Sequence, residues 1–240
     1  RHTRYIGDWS SDVCSSDLPD PWEYDNGYEV VKYGQTLGLI PDVPISRALE
    51  IACAEGHFTS RLSERAEALL ATDISATAVE RARERCAARS NVEYQQLDLA
   101  RDAIPGKFDL IVCSEMLYFI ADWDALWAVA EKLANALTED GCIILAHGNL
   151  IVDAPGHTGF PWPHAFGALG ISWIFGDHPL LEFEKELQTP LYRIQRYRRR
   201  RSKQHCTTIV EMADTAKRLP QRVAEQVRWR GGQEAPVADS

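Results

Sequence analysis

Residues 48–62 read Ala48-Leu-Glu-Ile-Ala-Cys-Ala-Glu-Gly-His-Phe-Thr-Ser-Arg-Leu62, an apolar run that passes through a loop of small residues into a helical pattern. A second apolar run follows at residues 69–72 and ends at Asp73. Strands over residues 47–52 and 69–72, joined by an amphipathic helix, form a right-handed βαβ unit. In such a unit a ligand binds at the carboxyl ends of the strands.

The loop after the first strand favours a ligand without phosphate. Ala52, Ala54 and Gly56 have little bulk, so a ligand can approach the backbone, and Asp73 stands where an acid binds a ribose diol. Alanines replace the glycines of a dinucleotide-binding loop, and Glu50 repels phosphate but attracts an ammonium group. We therefore predict S-adenosylmethionine, which carries an ammonium, a sulfonium and a ribose. The alternative is an ordinary strand–loop–helix with a solvated Glu50.

The strand and helix signals alternate along the rest of the chain. Further strands are expected at residues 92–97, 108–113 and 142–146, and the last of them presents His147 at its end. Because each strand is followed by a helical pattern, the sequence predicts a parallel sheet.

The helices between these strands have recognisable start and stop signals. Ser75 is a suitable N-cap for one helix and Asp122 for another. The second helix carries four apolar residues on one face: Leu126, Val129, Leu133 and Leu137. Gly141 is expected to end this element.

Three acidic residues, Glu50, Asp73 and Asp98, are expected at the ends of neighbouring parallel strands. These ends open onto the same edge of the sheet, so one ligand can contact all three. Asp73 would accept the ribose hydroxyls and Asp98 the adenine amino group, while Ile74 and Leu99 could sandwich the ring. Each Asp alone could equally be a helix cap, but their joint occurrence favours a ligand site.

Three further segments extend this pattern. They are Asp20-Pro-Trp-Glu-Tyr24, then Thr158-Gly-Phe-Pro-Trp162 with His164-Ala-Phe-Gly-Ala168, and finally Leu187-Gln-Thr-Pro-Leu-Tyr-Arg-Ile-Gln-Arg196. With them, residues 20–199 resemble a class I S-adenosylmethionine-dependent methyltransferase, and more narrowly the nodulation-factor N-methyltransferase (NodS-like) family. The resemblance implies an α/β, Rossmann-like fold: a mostly parallel seven-stranded sheet, a C-terminal antiparallel hairpin, and helices on both faces. Ala52 departs from the glycine usual in such loops.

The resemblance also implies an activity, the transfer of a methyl group to the amine, or a hydroxyl, of a small acceptor derived from an amino sugar or oligosaccharide. A protonated amine cannot attack, so we expect a base, His147 as first choice and Glu115 as second. The expected cofactor-binding residues are Glu50, Ala52, Ala54, Gly56, Asp73, Ile74, Asp98, Leu99, Ser114 and Tyr24. The expected substrate-binding residues are Tyr118, Trp162, His164 and Phe166.

We divide the chain into four segments. Residues 1–18 resemble the conceptual translation of an indexed sequencing-adapter primer and are expected to be disordered. Residues 19–46 are expected to form a cap whose aromatic residues, including Tyr24 and Tyr28, fold over the cofactor as a lid, or alternatively a helix packed against the side of the domain. Residues 47–200 are the expected methyltransferase domain, and residues 201–240 a basic, partly helical or disordered tail.

The composition restricts the partners. Residues 191–230 hold twelve Lys or Arg against three Asp or Glu, which leaves about −18 on the rest of a chain whose total is −9. Nucleic acid is therefore an unsuitable partner for the main body. The cysteines lack C-x-x-C spacing, so we expect reduced thiols in a cytoplasmic protein, without a metal and without a membrane span. We expect a monomer or weak dimer.

Two other functions remain open, and a third is disfavoured. The chain could be a catalytically weak, cofactor-binding subunit, or an O-methyltransferase of another small metabolite. A dinucleotide oxidoreductase is disfavoured by the missing glycines and by Glu50.

Overall fold

The structure is a computed structural model that describes residues 24–153, 156 and 158–201. The predictions for residues 1–18 and 202–240 lie outside these described residues. The helices are α1 (Gly27–Gly38), α2 (Thr59–Leu62), α3 (Ala76–Arg85), α4 (Trp123–Ala136) and α5 (Ala168–Asp177). The strands are β1 (Arg47–Ile51), β2 (Ala68–Asp73), β3 (Val92–Gln96), β4 (Phe108–Ser114), β5 (Leu137–Gly148), β6 (Leu181–Gln188) and β7 (Tyr192–Arg199).

The seven strands form one sheet in the order β3-β2-β1-β4-β5-β7-β6. The first five are parallel to one another, while β7 pairs antiparallel with both β5 and β6. The predicted class I methyltransferase fold is therefore confirmed. The chain order reverses between β1 and β4, so the crevice for a ligand opens at the carboxyl ends of these two strands.

The central strands are apolar because both of their faces are covered. Ala48 and Leu49 of β1, and Leu110 and Ile111 of β4, have no exposed surface. Such continuous apolar runs are typical of parallel strands buried on both sides. Helix α1 adds Tyr33 to this core, together with Leu39 and Ile40 after its end.

The predicted helix caps are confirmed by their hydrogen bonds. The Ser75 hydroxyl accepts from the Ala78 amide at 3.2 Å, and the Asp122 carboxylate accepts from the Ala125 amide at 2.8 Å. Each bond satisfies an amide that has no partner within the helix, which is worth about 1 kcal/mol.

Two boundaries differ from the sequence prediction. Leu137 does not belong to α4, because it begins β5 by pairing with Phe108, and Gly141 lies inside β5 instead of ending the helix. A Cβ at Gly141 would approach the Phe108 carbonyl to 2.8 Å, so this glycine permits close strand packing. The helix after β1 is also shorter than expected, since α2 passes at once into a turn of 3-10 helix at Ser63–Arg65.

The C-terminal hairpin is longer than its motif suggested, and cross-strand ion pairs accompany it. Three arginines of β7 each pair with a glutamate of β6: Arg193 with Glu186, Arg196 with Glu184 and Arg198 with Glu182. Pairs of this kind contribute about 0.2–1 kcal/mol each, and charges on the edge strand β6 oppose aggregation. Part of the positive charge in residues 191–230 is therefore paired with glutamates within the fold. Across the described residues, no helix is both long enough and apolar enough to span a bilayer.

Candidate functional site

Backbone strain is concentrated at the ends of β1 and β4. Ala52, Ala54 and Glu115 are the three non-glycine residues with positive φ in the part of the chain that the structure describes, at 60°, 47° and 52°. The left-handed region costs a residue with a side chain about 1–2 kcal/mol. Such strain is typical of binding and catalytic sites. Here the strained residues lie on both sides of the crevice between β1 and β4, where the chain order of the strands reverses.

Asp73, at the end of β2, holds the loop after β1 in place. Its Oδ2 accepts from the Ala54 amide at 3.0 Å, and its Oδ1 accepts from the Ser75 amide at 2.9 Å. Burial raises the pKa of Asp73, and these amides oppose the rise. Each carboxylate oxygen has two lone pairs, so acceptor capacity remains for a ribose diol.

Gly56 allows α3 to approach this loop. Its φ is 82°, and a Cβ at this position would lie 3.0 Å from the Ala82 Cα. Both the backbone conformation and the lack of space therefore require glycine at the third small position of the loop.

Glu50 of β1 is buried with an unsatisfied carboxylate oxygen. The residue is 4% exposed, and among the described residues its Oε2 has no hydrogen-bond partner. Burial, with a contribution from the Asp73 carboxylate, raises the pKa of Glu50 to about 8. A buried carboxyl group of this kind is stabilised as an anion when a cation binds beside it.

Some of the groups predicted to bind adenine already have partners within the protein. Asp98 follows β3, but its Oδ1 accepts from the Ala100 amide at 2.9 Å and its Oδ2 is 3.6 Å from Nε of Arg101. Ile74 is 42% exposed, whereas Leu99 is buried. The structure thus places the predicted residues at neighbouring strand ends, with Asp98 also bonded within its own turn.

Glu115, directly after β4, is the centre of a hydrogen-bond network. Its Oε1 accepts from Nζ of Lys32 at 3.0 Å. Its Oε2 accepts from the Tyr118 hydroxyl at 2.5 Å and from the Gly148 amide at 3.3 Å. Burial alone would raise the pKa of Glu115, but Lys32, His147 and the hydrogen bonds hold the pKa below its usual value. The group is therefore a carboxylate at neutral pH.

Lys32 of α1 belongs, with Tyr33, to the segment before the first strand that supports the family resemblance, but the sequence analysis gave it no role. It is 1% exposed, its Nζ is also 3.0 Å from the Glu29 carboxylate, and it lies 4.8 Å from the centre of the Tyr28 ring. Burial would lower the pKa of Lys32, but the two carboxylates outweigh it and raise the pKa. Its position four residues before the buried Thr36 was the available signal, since both face the core from one side of α1.

His147, at the end of β5, is sealed from solvent. It is 2% exposed, and its Nε2 accepts from the Leu117 amide at 3.2 Å. Its Nδ1 has no partner among the described residues. Burial lowers the pKa of His147 to about 4, so the ring is neutral at pH 7. Ser114, at the end of β4, donates to the Ala146 carbonyl at 3.3 Å.

Tyr118, which donates to Glu115, belongs to a cluster of aromatic side chains. Tyr118 stacks on His164 with ring centres 5.0 Å apart and meets the edge of Trp162 at 5.7 Å. Trp162 in turn stacks on Phe160 at 4.5 Å. The structure therefore brings three of the four predicted substrate residues together. The fourth, Phe166, has no exposed surface and lies 4.6 Å from Trp123, away from this cluster.

Tyr24 lies near the loop after β1, ahead of α1. Its ring is 5.1 Å from that of His57, and the neighbouring Asp25 carboxylate is 3.2 Å from Nδ1 of His57. Burial and the Asp73 carboxylate raise the pKa of Tyr24, which places its hydroxyl in the field of the predicted ribose-binding acid. No group of three or more potential metal ligands occurs among the residues that the structure describes.

Comparisons with known proteins show the family to which the chain belongs. The family model for nodulation protein S (NodS) matches residues 12–183, a range that includes the last seven residues of the adapter-like segment. Nodulation protein S of Bradyrhizobium diazoefficiens is 32% identical over 170 residues, covering 70% of this chain and 78% of that protein. The Sinorhizobium fredii protein is 31% identical over 168 residues, covering 69% and 74%.

A solved structure is similar in fold as well. It is the N-methyltransferase NodS from Bradyrhizobium japonicum, crystallised with S-adenosyl-L-homocysteine. The TM-score is 0.68 at 25% sequence identity, and the match covers 77% of this chain and 94% of that one.

Proposed function

This chain belongs to the NodS family and is an S-adenosylmethionine-dependent methyltransferase, and we propose that its acceptor is the amine of a small molecule derived from an amino sugar. The observation that carries the proposal is the Glu115 carboxylate, which stays ionised at the end of β4 beside aromatic side chains. An anion of this kind binds an amine through its N–H groups.

The residues at the carboxyl edge fit the cofactor. The unsatisfied Glu50 carboxyl suits its ammonium group, Asp73 its ribose, and the exposed Ile74 one face of its adenine. Gly56 and the strained alanines keep the loop backbone within reach. We propose that Leu99, Asp98, Ser114 and Tyr24 complete this set, with Tyr24 covering the site beside His57.

The charge around Glu115 favours a cationic or amine acceptor. Glu29, Lys32 and Glu115 together carry one more negative than positive charge. The N–H groups of a neutral amine carry partial positive charge and are attracted by this excess, and the neighbouring rings of Tyr118 and Trp162 suit the flat face of a sugar.

Methyl transfer requires precise alignment of the amine with the methyl group more than it requires a strong base. S-adenosylmethionine supplies an electrophilic methyl carbon bonded to a positive sulfur. We propose that Glu115 accepts an N–H of the neutral amine and so orients the nitrogen lone pair toward that carbon. As the N–C bond forms, the C–S bond would break with its electron pair left on sulfur, and the methylated nitrogen would leave as an ammonium next to the Glu115 carboxylate. Holding two reactants in such a geometry contributes about 7–11 kcal/mol to lowering the barrier. The lowered pKa of Glu115 suits this orienting role better than that of a strong base.

We propose a different role for His147. Its Nε2 already accepts from the Leu117 amide, and its pKa of about 4 disfavours the protonated form. It therefore supports the turn at Leu117–Phe119 that carries Tyr118, which reverses the order of the two residues chosen from sequence.

The acceptor proposal is tested by methyl transfer from cofactor with a tritiated methyl group. Two acceptors of equal length are compared: a glucosamine-containing oligosaccharide with one free amine, and its fully N-acetylated counterpart. We expect label on the free amine alone, and a loss of at least about tenfold in kcat/KM for Glu115→Gln, equivalent to about 1.4 kcal/mol.

Other outcomes of this assay distinguish the alternatives. Equal labelling of both sugars would contradict amine selectivity and support transfer to a hydroxyl. Binding of S-adenosylhomocysteine without transfer to either sugar would support a cofactor-binding subunit.

We also propose that the protein works in the cytoplasm. Cys53, Cys86, Cys113 and Cys142 are all buried and free. Free thiols of this kind are typical of reducing compartments.

A further inference from the structure

Lys32 has no part in the mechanism above, yet it is a fully buried charge. It reaches from α1 to the end of β4, so it joins an element outside the sheet to the reacting edge. Buried ion pairs add little net stability compared with apolar residues of similar volume, because both charges lose their water. A lysine at this position therefore points to an effect on Glu115 as well as to packing.

We propose that Lys32 is a positioning residue for methyl transfer, whose ammonium fixes the orientation and charge of the Glu115 carboxylate that receives the acceptor nitrogen. The inference rests on the proposed role of Glu115. Lys32 would act through Glu115 and would not contact the acceptor itself.

The geometry around Glu115 supports this role. The carboxylate is held by donors on both oxygens, Lys32 on Oε1 and Tyr118 with the Gly148 amide on Oε2. Two of these donors are neutral, and within the described ranges Lys32 is the one cation in an ion pair with Glu115. Because the backbone at Glu115 is strained, at φ 52°, a lost side-chain contact would also weaken the hold on this conformation.

The same contact controls the protonation of Glu115. The groups that face it are Lys32, Glu29 and Tyr28 from α1, Tyr118 from the following turn, His147 from β5 and Cys113 from its own strand. Burial raises the pKa of Glu115, and Lys32 is the largest opposing influence. Without this ammonium the pKa of Glu115 rises, so a larger share of the group is protonated and accepts an N–H less strongly than the carboxylate does.

The test compares Lys32→Met, Lys32→Arg, Glu115→Gln and the double variant Lys32→Met/Glu115→Gln, with the free-amine oligosaccharide as acceptor. Methionine keeps the length of the side chain and removes the charge. For Lys32→Met we expect S-adenosylhomocysteine affinity within about threefold of wild type, and kcat at pH 7 at least about tenfold lower. The acidic limb of its kcat/KM profile should move to higher pH, so that activity recovers as pH rises.

The other variants separate charge from position. Lys32→Arg keeps the charge but moves the donor, so we expect a several-fold lower kcat with the acidic limb of the wild type. The double variant should be no less active than Glu115→Gln alone, because two residues that act through one group are not additive. If Lys32→Met fails to fold, Lys32→Arg still tests whether the position of the donor at residue 32 affects kcat.

Several results would overturn the inference. These are a wild-type kcat and pH profile in Lys32→Met, additive losses in the double variant, wild-type kcat in Lys32→Arg, or loss of S-adenosylhomocysteine affinity in parallel with kcat. A wild-type protein that transfers no methyl to the amine would overturn the proposed function and this inference together. If the wild-type protein is active and any of the four variant results above is obtained, the inference about Lys32 is overturned and the proposed function is not.

Discussion

Single residues at the carboxyl edge adopt backbone conformations that most side chains avoid. Ala52 and Ala54 lie in the left-handed region where a glycine would be unstrained. The sequence showed that Ala52 was unusual, but it could not show the strain, because φ depends on how Asp73 holds the loop through the Ala54 amide. The energetic cost of this backbone strain is confined to single residues, so single substitutions can measure it.

Ala52→Gly should stabilise the protein. It relieves about 1–2 kcal/mol of left-handed strain and loses about 0.4–1 kcal/mol through the more flexible unfolded chain. We expect a net gain of up to about 1.6 kcal/mol in the free energy of unfolding, measured with urea. The control is Ala128→Gly on the exposed side of α4, which should lose about 0.5–1 kcal/mol. A loss of equal size in both variants would contradict the strain at Ala52.

Gly56→Ala should have the opposite effect. The new Cβ would meet the Ala82 Cα at 3.0 Å from a backbone at φ 82°. We expect a loss of at least about 1 kcal/mol in the free energy of unfolding, together with weaker S-adenosylhomocysteine binding. Gly34→Ala in α1, where a Cβ has no neighbour within 4 Å, should instead gain stability. Equal stability of the two variants would count against the tight packing at Gly56.

At the scale of elements, the parallel strands and the helix caps followed from the sequence because their signals are local. The apolar runs and the Ser75 and Asp122 caps depend on residues only a few positions apart. The start of β5 was wrong because Leu137 pairs with Phe108, a contact between residues distant in sequence. The ion pair of Lys32 was missed for the same reason, since its partner Glu115 is 83 positions away.

The segment before α1 leads to a prediction about cofactor binding. The Tyr24 ring is tilted against that of His57 and lies in the field of Asp73, so this ring can cover a bound cofactor. Tyr24→Ala should weaken S-adenosylhomocysteine binding about tenfold by calorimetry, whereas Tyr24→Phe should retain most of the affinity because the ring remains. Unchanged affinity in Tyr24→Ala would exclude the lid and leave only a packing role.

For the whole molecule, stability should depend on pH through the buried Glu50. Its pKa is about 8 when folded and near 4.5 when unfolded, so between these values the folded state holds the extra proton. The contribution of Glu50 to the free energy of unfolding therefore falls by up to about 1.4 kcal/mol per pH unit as pH rises from about 5 to 8. His147, with a folded pKa of about 4, acts oppositely and adds stability as pH rises from about 4 to 6.5.

Glu50→Gln isolates the contribution of the carboxyl group. Glutamine is neutral at every pH, so its stability relative to wild type should increase from pH 5 to pH 8 in urea unfolding. A difference that stays constant over this range would show that Glu50 has an ordinary pKa in the folded protein.

The prediction from sequence was confirmed for the fold of the whole molecule. The residues predicted for the site at the ends of parallel strands do lie at one edge of the sheet, because parallel topology brings these ends together. The sequence did not reveal which of these residues would contact the acceptor and which would support the site. Glu115 and His147 are both at the expected strand ends, and it is their hydrogen bonds, which the sequence does not reveal, that led us to propose Glu115 as the residue that meets the acceptor.

The most direct test of the account is calorimetric titration of the wild-type protein and Asp73→Asn with S-adenosylhomocysteine and with NAD. The account predicts that the wild type binds S-adenosylhomocysteine and not NAD. It also predicts at least about tenfold weaker S-adenosylhomocysteine binding in Asp73→Asn, because a neutral amide accepts the ribose hydroxyls less strongly. Equal affinity of the two proteins, or binding of NAD in its place, would contradict a phosphate-free cofactor held at the carboxyl edge of the sheet.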